Sequence, residues 1–181
     1  LELELLRYIQ SAASPVLDVF FIGITMLAEP ALWVVVLAWI YWNSDKTAGR
    51  FISYAMFTSL CFGNGLKEIF RMPRPIGEPG IRTIYADTAT GYSFPSGHSV
   101  TSVVVYGLLI YLIRKRCKNQ TVKNILTVLC AALMIIIGPS RIYVGVHWPT
   151  DVLCGWLIGS AVLIIAVTIL ERMNKKNEDL Q

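Results

Sequence analysis

Five stretches of the chain are close to uniformly apolar: residues 30 to 42, 51 to 66, 99 to 113, 124 to 138 and 152 to 170. A helix needs about 20 mostly apolar residues to cross the hydrocarbon, with roughly 17 as a working minimum. The five stretches approach or meet that length, so five crossings are predicted. A further apolar stretch, Pro15 to Ala28 (PVLDVFFIGITMLA), is short, and Glu29-Pro30 separates it from the next run. It is either a sixth crossing or a partial one. Ahead of it, LELELLRYIQSAAS places Leu5, Ile9 and Ala12 on one helical stripe with Glu4, Arg7 and Gln10 elsewhere. That pattern suits a short helix lying at the membrane interface, or else an N-terminal extension of the next helix. The fold class expected is an all-α integral membrane bundle of five to six transmembrane helices with an N-terminal interfacial helix.

Composition agrees with the pattern. Of 181 residues 55% are hydrophobic and only 15% charged, too apolar for an ordinary soluble domain of this length. No Pro/Gly/Ser-rich linker or internal repeat divides the chain, so a single domain over 1–181 is expected. The first residue is leucine, and a natural start upstream of it is expected.

Charge sets the orientation. The connections 43 to 50 and 114 to 123 and the tail 171 to 181 carry 2, 5 and 3 basic residues, ten of the chain's 16. With five alternating crossings they share one side, which the excess of Lys and Arg marks as cytoplasmic. Lys67, Arg71, Arg74, Arg82 and Arg141 fall on the opposite side. They stand against the topological signal and need another reason to be there.

Three clusters meet on that outer side. In KEIFRMPRP, Pro73 and Pro75 end the helix so that Arg74 leaves it extended, beyond Lys67 and Arg71 one turn apart. Interfacial snorkelling would explain such side chains taken alone. In GYSFPSGHS, Ser96 is a helix cap, Gly97 permits close approach to the backbone, and the helix start attracts anions. Capping accounts for Ser96 and Gly97 but gives His98 no role. In SRIYVGVHWPTD, Pro149 opens the last helix and Asp151 suits its dipole. His147 and Asp151 are four apart, close enough for the carboxylate to hold one imidazole N–H and leave the other nitrogen as a nucleophile or base. The chain has two histidines in all, and both are here.

Three cations, two histidines, an orienting carboxylate and an anion-binding helix start are the parts of a phosphoryl-transfer site. No acidic cluster to hold Mg²⁺ lies among them, so no metal or other cofactor is expected, and the cations would do the metal's work.

The spacing Lys67-x6-Arg74-Pro75, Pro95-Ser96-Gly97-His98, Ser140-Arg141-x5-His147-x3-Asp151 resembles the three-part signature of the type 2 phosphatidic acid phosphatase superfamily. The match runs from 67 to 151, and the apolar layout elsewhere is similar to small bacterial members. The resemblance implies that His147 is the nucleophile that becomes a phosphohistidine, that Asp151 orients it, and that His98 is the general acid. It implies phosphate binding by Lys67, Arg74, Ser96, Gly97 and Arg141, and metal-independent chemistry. The implied partners are the bilayer and a lipid phosphate, of the undecaprenyl pyrophosphate, phosphatidylglycerol phosphate or phosphatidic acid type, with no nucleic acid.

The one long connection on this side, 76 to 93, has the length of a lid or binding loop, with Arg82 and Tyr85 as candidates for a headgroup contact. Two rival functions remain at this level: transfer of the phosphoryl group to an acceptor other than water, and metal binding or transport through His98, His147 and Asp151. Three converging cations oppose the second. Gly155 and Gly159 are a small-xxx-small pair expected to permit close helix packing. Cys61, Cys117, Cys130 and Cys154 lack metal-ligand spacing and are expected to be free. Asp18 in the first apolar segment is costly if it lies within the bilayer and ordinary if it lies at the interface.

Overall fold

The computed structural model of the chain describes residues 1–43, 46–86 and 89–178. Parts of three sequence expectations lie outside the described residues: 44–45 of the cytoplasmic linker, 87–88 of the long loop and 179–181 of the tail. The described residues form seven helices and no strand: α1 (Glu2–Ser11), α2 (Pro15–Met26), α3 (Pro30–Asn43), α4 (Lys46–Phe70), α5 (Gly97–Arg116), α6 (Gln120–Tyr143) and α7 (Pro149–Glu178).

The helix starts follow from local chemistry. Ser14, Ser96 and Asn119 precede α2, α5 and α6, and their side chains accept the N–H of Leu17, Ser99 and Val122 at 3.3, 3.4 and 3.1 Å. Each bond satisfies a donor that the first helical turn leaves open. Pro15, Pro30 and Pro149 stand at first helical positions, where the missing N–H costs nothing. α4 stops at Phe70 because Arg71 takes φ 47°, the left-handed conformation that commonly ends a helix.

By length and composition, α5, α6 and α7 can each cross a membrane. α4 is as long, at 25 residues, but carries more polar positions. α2 and α3 have 12 and 14 residues, about 18 and 21 Å at 1.5 Å per residue, against roughly 30 Å of hydrocarbon. Their neighbours explain the shortness. α2 lies beside the end of α6 that leads to α7: Asp18 bonds Tyr143 and Thr25 bonds Arg141. α3 lies beside the middle of α5, with the Trp33 and Tyr106 rings 5.3 Å apart, and its far end adjoins α4. There a Cβ on Gly49 would sit 2.9 Å from Tyr41 backbone atoms. α2 and α3 follow one another across the connection at 27–29. Among the described residues three helices, α5, α6 and α7, are long and apolar enough to cross a membrane, and the bent pair α1 and α2 makes a fourth candidate span if it counts as one.

α5 is the central pass, with Val100, Val103, Val104, Val105 and Leu108 all buried. α7 packs against it closely enough that a Cβ on Gly155 would lie 2.8 Å from the Ser96 carbonyl oxygen, and one on Gly159 would lie 2.8 Å from Val103 Cβ. The small-residue pair does what its spacing predicts. All four cysteines are free.

α1 meets α2 at a bend of 120° and lies across the end of the bundle where α6 joins α7. Its seat differs from the expected stripe. Leu6 is fully buried and packs with Ile142 and Val152, and Ile9 joins them, while Leu5 and Ala12 are exposed. The stripe drawn for a flat interface is displaced because the helix rests on protein, in a groove whose walls are set by α6 and α7.

Candidate active site

His147 stands in the short connection after α6. Gly145 adopts φ 78°, a left-handed turn, and a Cβ there would collide with the Arg82 carbonyl oxygen. Only glycine permits that turn so close to the long loop. The next two residues bring His147 over the start of α7, where its Nδ1 lies 3.2 Å from Asp151 Oδ2. The same carboxylate oxygen accepts the Trp148 N–H at 2.8 Å and the Ser93 hydroxyl. His147, Asp151 and Ser93 are all buried.

Arg74 approaches the other face of the imidazole, with Nη1 3.1 Å from His147 Nε2. A guanidinium has donors and no acceptor, so Nε2 presents its lone pair and the ring proton sits on Nδ1, toward Asp151. Arg74 is itself held by backbone carbonyls: Nη1 donates to Val146 at 2.9 Å, Nη2 to Thr90 at 2.9 Å and Nε to Gly91 at 3.1 Å. Pro73 and Pro75 give the extended exit that makes this reach available, and the Trp148 indole N–H fixes it by donating to the Pro73 carbonyl at 2.9 Å.

Burial pushes the His147 pKa well below the ordinary 6.5, and the charges of Arg141, Arg74, Lys67 and His98 push the same way. The imidazole is thus a neutral base with a directed lone pair, surrounded by cations. Lys67, half-buried near the end of α4, lies within electrostatic range of Arg74, Arg141 and Asp151. Arg141 is almost completely buried, donates from Nη1 to Thr25 Oγ1 at 2.8 Å, and keeps an Nε donor with no acceptor among the described residues.

Ser96 is fully buried as the cap of α5, bonded by the Ser99 hydroxyl at 2.9 Å, while its own N–H donates to the Asp151 carbonyl at 3.1 Å. The cap and the carboxylate-bearing turn are therefore one unit. A Cβ added to Gly97 would meet nothing within 4 Å, so the backbone of this helix start faces open space. His98, one residue on, lies within electrostatic range of Arg141 and Lys67 and places Nε2 3.2 Å from Glu29 Oε1. All eight site residues expected from the sequence converge on this one end of the bundle.

Arg71 and Arg82 do not join them. Arg71 is exposed and donates to the Glu68 carbonyl. Arg82 forms a two-pronged ion pair with Asp18 at 2.8 and 2.7 Å, and Asp18 also accepts the Tyr143 hydroxyl at 2.7 Å. Arg82 thus makes a clasp between the long loop and α2, which also accounts for Asp18. α1 adds a second clasp. Gln10 donates to the Arg82 and Tyr143 carbonyls at 2.7 and 2.8 Å and accepts the Arg82 N–H at 2.9 Å, and Arg7 donates twice to the Pro79 carbonyl.

Three participants escaped the sequence reading: Ser93, Thr25 and Glu29. Serine and threonine in such settings carry no pattern of their own. Glu29 did carry a signal, since a carboxylate embedded in apolar sequence is expensive.

A membrane-embedded, all-helical bundle with paired histidines and three cations at one end defines the class of protein, and sequence comparison gives the family. The PAP2 superfamily model matches residues 48–175, and the chain belongs to that superfamily. It is 26% identical over 166 residues to phosphatidylglycerophosphatase B of Bacillus subtilis, covering 89% of this chain and 79% of that protein. It is 27% identical over 167 residues to undecaprenyl-diphosphatase of Sulfolobus acidocaldarius, covering 92% of this chain and 75% of that one. Lipid phosphate phosphatase delta of Arabidopsis thaliana is 26% identical over 177 residues, 94% of this chain. The chain spans only 42% of that plant protein's length. Among solved structures, the fold is similar to Aquifex aeolicus LpxE, with TM-score 0.74 and 28% identity, covering 92% of this chain and 94% of that one. A transmembrane PAP2-type phosphatidylglycerolphosphate phosphatase from Bacillus subtilis shares the fold with TM-score 0.79.

Proposed function

We propose that the protein hydrolyses a phosphate monoester or diphosphate of a membrane lipid, through a phosphohistidine on His147. The observation that supports this most directly is the line Asp151, His147, Arg74. The carboxylate holds Nδ1–H, and Nε2 carries the lone pair, which accepts Arg74 Nη1–H here; a phosphate oxygen would take over that donor and release the pair for attack on phosphorus.

In the first step Nε2 attacks phosphorus as the bond to the lipid or phosphate leaving oxygen breaks. Lys67, Arg74 and Arg141, with the first N–H groups of α5 at Gly97 and His98, offset the charge on the equatorial oxygens. His98 gives the leaving oxygen its proton. In the second step water displaces His147 from phosphorus, and His98 takes the proton that water loses.

Relatives named undecaprenyl-diphosphatase and phosphatidylglycerophosphatase B support a lipid substrate. A lipid phosphate keeps its tails in the bilayer and brings its charge to the interface, where α4 and α5 present Lys67 and His98. The connections rich in Lys and Arg lie at the opposite end of the bundle, which supports an extracytoplasmic site and a cytoplasmic C-terminus. A cysteine placed in the 76–86 segment should react with an impermeant label from outside.

The deciding experiment is phosphate release by purified protein across a panel of lipid mono- and diphosphates in detergent, with a chelator present throughout. Release from at least one lipid without added acceptor or metal supports hydrolysis. Release that requires an alcohol acceptor would mean phosphotransfer, and release that requires Mg²⁺ or Zn²⁺ would mean a metal enzyme.

A further inference from the structure

The break between α2 and α3 falls at the depth of the site, and it is built to stay. Pro30 has no N–H to continue the helix. The Leu27 carbonyl, which the break releases, accepts both the Trp33 indole N–H at 2.8 Å and the Tyr106 hydroxyl at 3.0 Å. Ala28 beside it is fully buried. The residue this fixed corner presents is Glu29, with Oε1 3.2 Å from His98 Nε2 and both side chains largely covered, at 19% and 11% exposure.

Four charged or titratable groups face His98: Glu29 from the corner, Lys67 from α4, Arg141 from α6, and His147 from the α6–α7 connection. Lys67 and Arg141 are cations, and Glu29 is the carboxylate among the four, in contact with the imidazole. A general acid must carry a proton on His98, and Glu29 is the anion placed beside it.

We propose that Glu29 is a positioning residue for the general acid: its carboxylate holds His98 Nε2–H, fixes the ring, and stabilises the imidazolium. Glu29 and His98 thus form a second carboxylate–histidine pair beside Asp151 and His147, with the opposite task. The inference rests on the phosphatase reading given above. When the His147 Nε2–P bond forms and the P–O bond to the lipid breaks, the departing oxygen takes the proton from His98 Nδ1. When water's oxygen bonds phosphorus and the His147–P bond breaks, Nδ1 takes a proton from that water. Glu29 keeps its own protonation state throughout.

The test compares leaving groups. Single-turnover release of the leaving group is measured with full-length wild type, Glu29→Gln, Glu29→Asp and His98→Ala. One substrate is a lipid phosphate with an alcohol leaving group. The other is p-nitrophenyl phosphate, whose leaving group departs without a proton. Glu29→Gln should lose about 10- to 100-fold on the lipid and less than about 3-fold on the nitrophenyl ester, a part of the roughly 100- to 10,000-fold that general-acid catalysis supplies. His98→Ala should show the same selectivity, and the double variant should be no worse than His98→Ala alone. Glu29→Asp, which keeps the charge, should fall between wild type and Glu29→Gln on the lipid, and it carries the same comparison should Glu29→Gln fail to fold. Equal losses on both substrates, additive losses in the double variant, or full activity in the Glu29 variants would overturn the proposal. If wild type releases no phosphate from any lipid, it is the phosphatase reading that fails.

Discussion

Arg74 donates Nη1–H to His147 Nε2 at 3.1 Å while the carbonyls of Thr90, Gly91 and Val146 hold the rest of its guanidinium. The carbonyls thereby preposition the arginine, and its contact with the imidazole fixes which nitrogen carries the lone pair until a phosphate oxygen takes over that donor. A lysine cannot copy a planar fork with five donors. Arg74→Lys should retain charge yet lose about 100-fold in kcat/KM, the scale expected when a preorganised charge-stabilising donor is removed. Steady-state kinetics on one lipid phosphate checks this, with Arg74→Gln as the reference for loss of both charge and shape.

The buried setting of His147 has a consequence for pH. Its pKa lies well below 6.5 first because of burial, then because of Arg141, Arg74, Lys67 and His98. The neutral nucleophile therefore persists as pH falls through 6.5, and it is lost only when pH drops through the lowered value. The acidic limb of kcat/KM, which reports the free enzyme, should lie below 6.5 in wild type. Removing one of these charges in Arg74→Gln should move that limb to higher pH on the same substrate. An unmoved limb would mean that His147 is not the titrating group.

Ser93 closes the far side of the pair by bonding Asp151 Oδ2, which also accepts the Trp148 N–H. Ser93→Ala removes one of these bonds and leaves the Trp148 bond in place. A loss of about 1 kcal/mol in stability is expected for a buried bond of this kind, with a drop of up to roughly tenfold in kcat if a similar amount is lost from the barrier as the carboxylate loosens. Thermal unfolding in detergent and kcat on the same preparation measure the two together.

Gly155 lies against the cap of α5. A methyl group there would stand 2.8 Å from the Ser96 carbonyl oxygen and 2.8 Å from Ser99 Cβ, so Gly155→Ala must push α5 and α7 apart. Overpacking of this sort costs about 1–3 kcal/mol. Because Ser96 is the residue that moves, activity should fall at temperatures where the variant is still folded. Gly23→Ala, where a Cβ meets nothing within 4 Å, serves as the control and should change neither.

Much of this site is legible in the sequence because its residues come in three compact motifs, each attached to a helix end. Pro73 and Pro75 announce the exit that frees Arg74, Ser96 and Gly97 announce a helix start, and the four-residue step from His147 to Asp151 announces a pair. The rest depends on distance along the chain. Ser93 reaches Asp151 across 58 residues, Thr25 reaches Arg141 across 116, and Glu29 reaches His98 across 69. No local pattern encodes such meetings. The apolar runs match the helices α4 to α7 closely, while periodicity leaves open whether Pro15–Ala28 is a separate crossing. What the sequence does not show is the seat of the connection after α2, where the Leu27 carbonyl accepts from Trp33 and Tyr106. Likewise α1 reads as amphipathic from its sequence, yet the face it buries is set by the groove it meets.

The most direct measurement is the fate of labelled phosphorus on the enzyme. Wild-type protein quenched during turnover of a ³²P-labelled lipid phosphate should carry an acid-labile, base-stable label that maps to His147, and His147→Ala should carry none and turn over nothing. Full turnover by His147→Ala, or label on any other residue, would contradict the phosphohistidine mechanism.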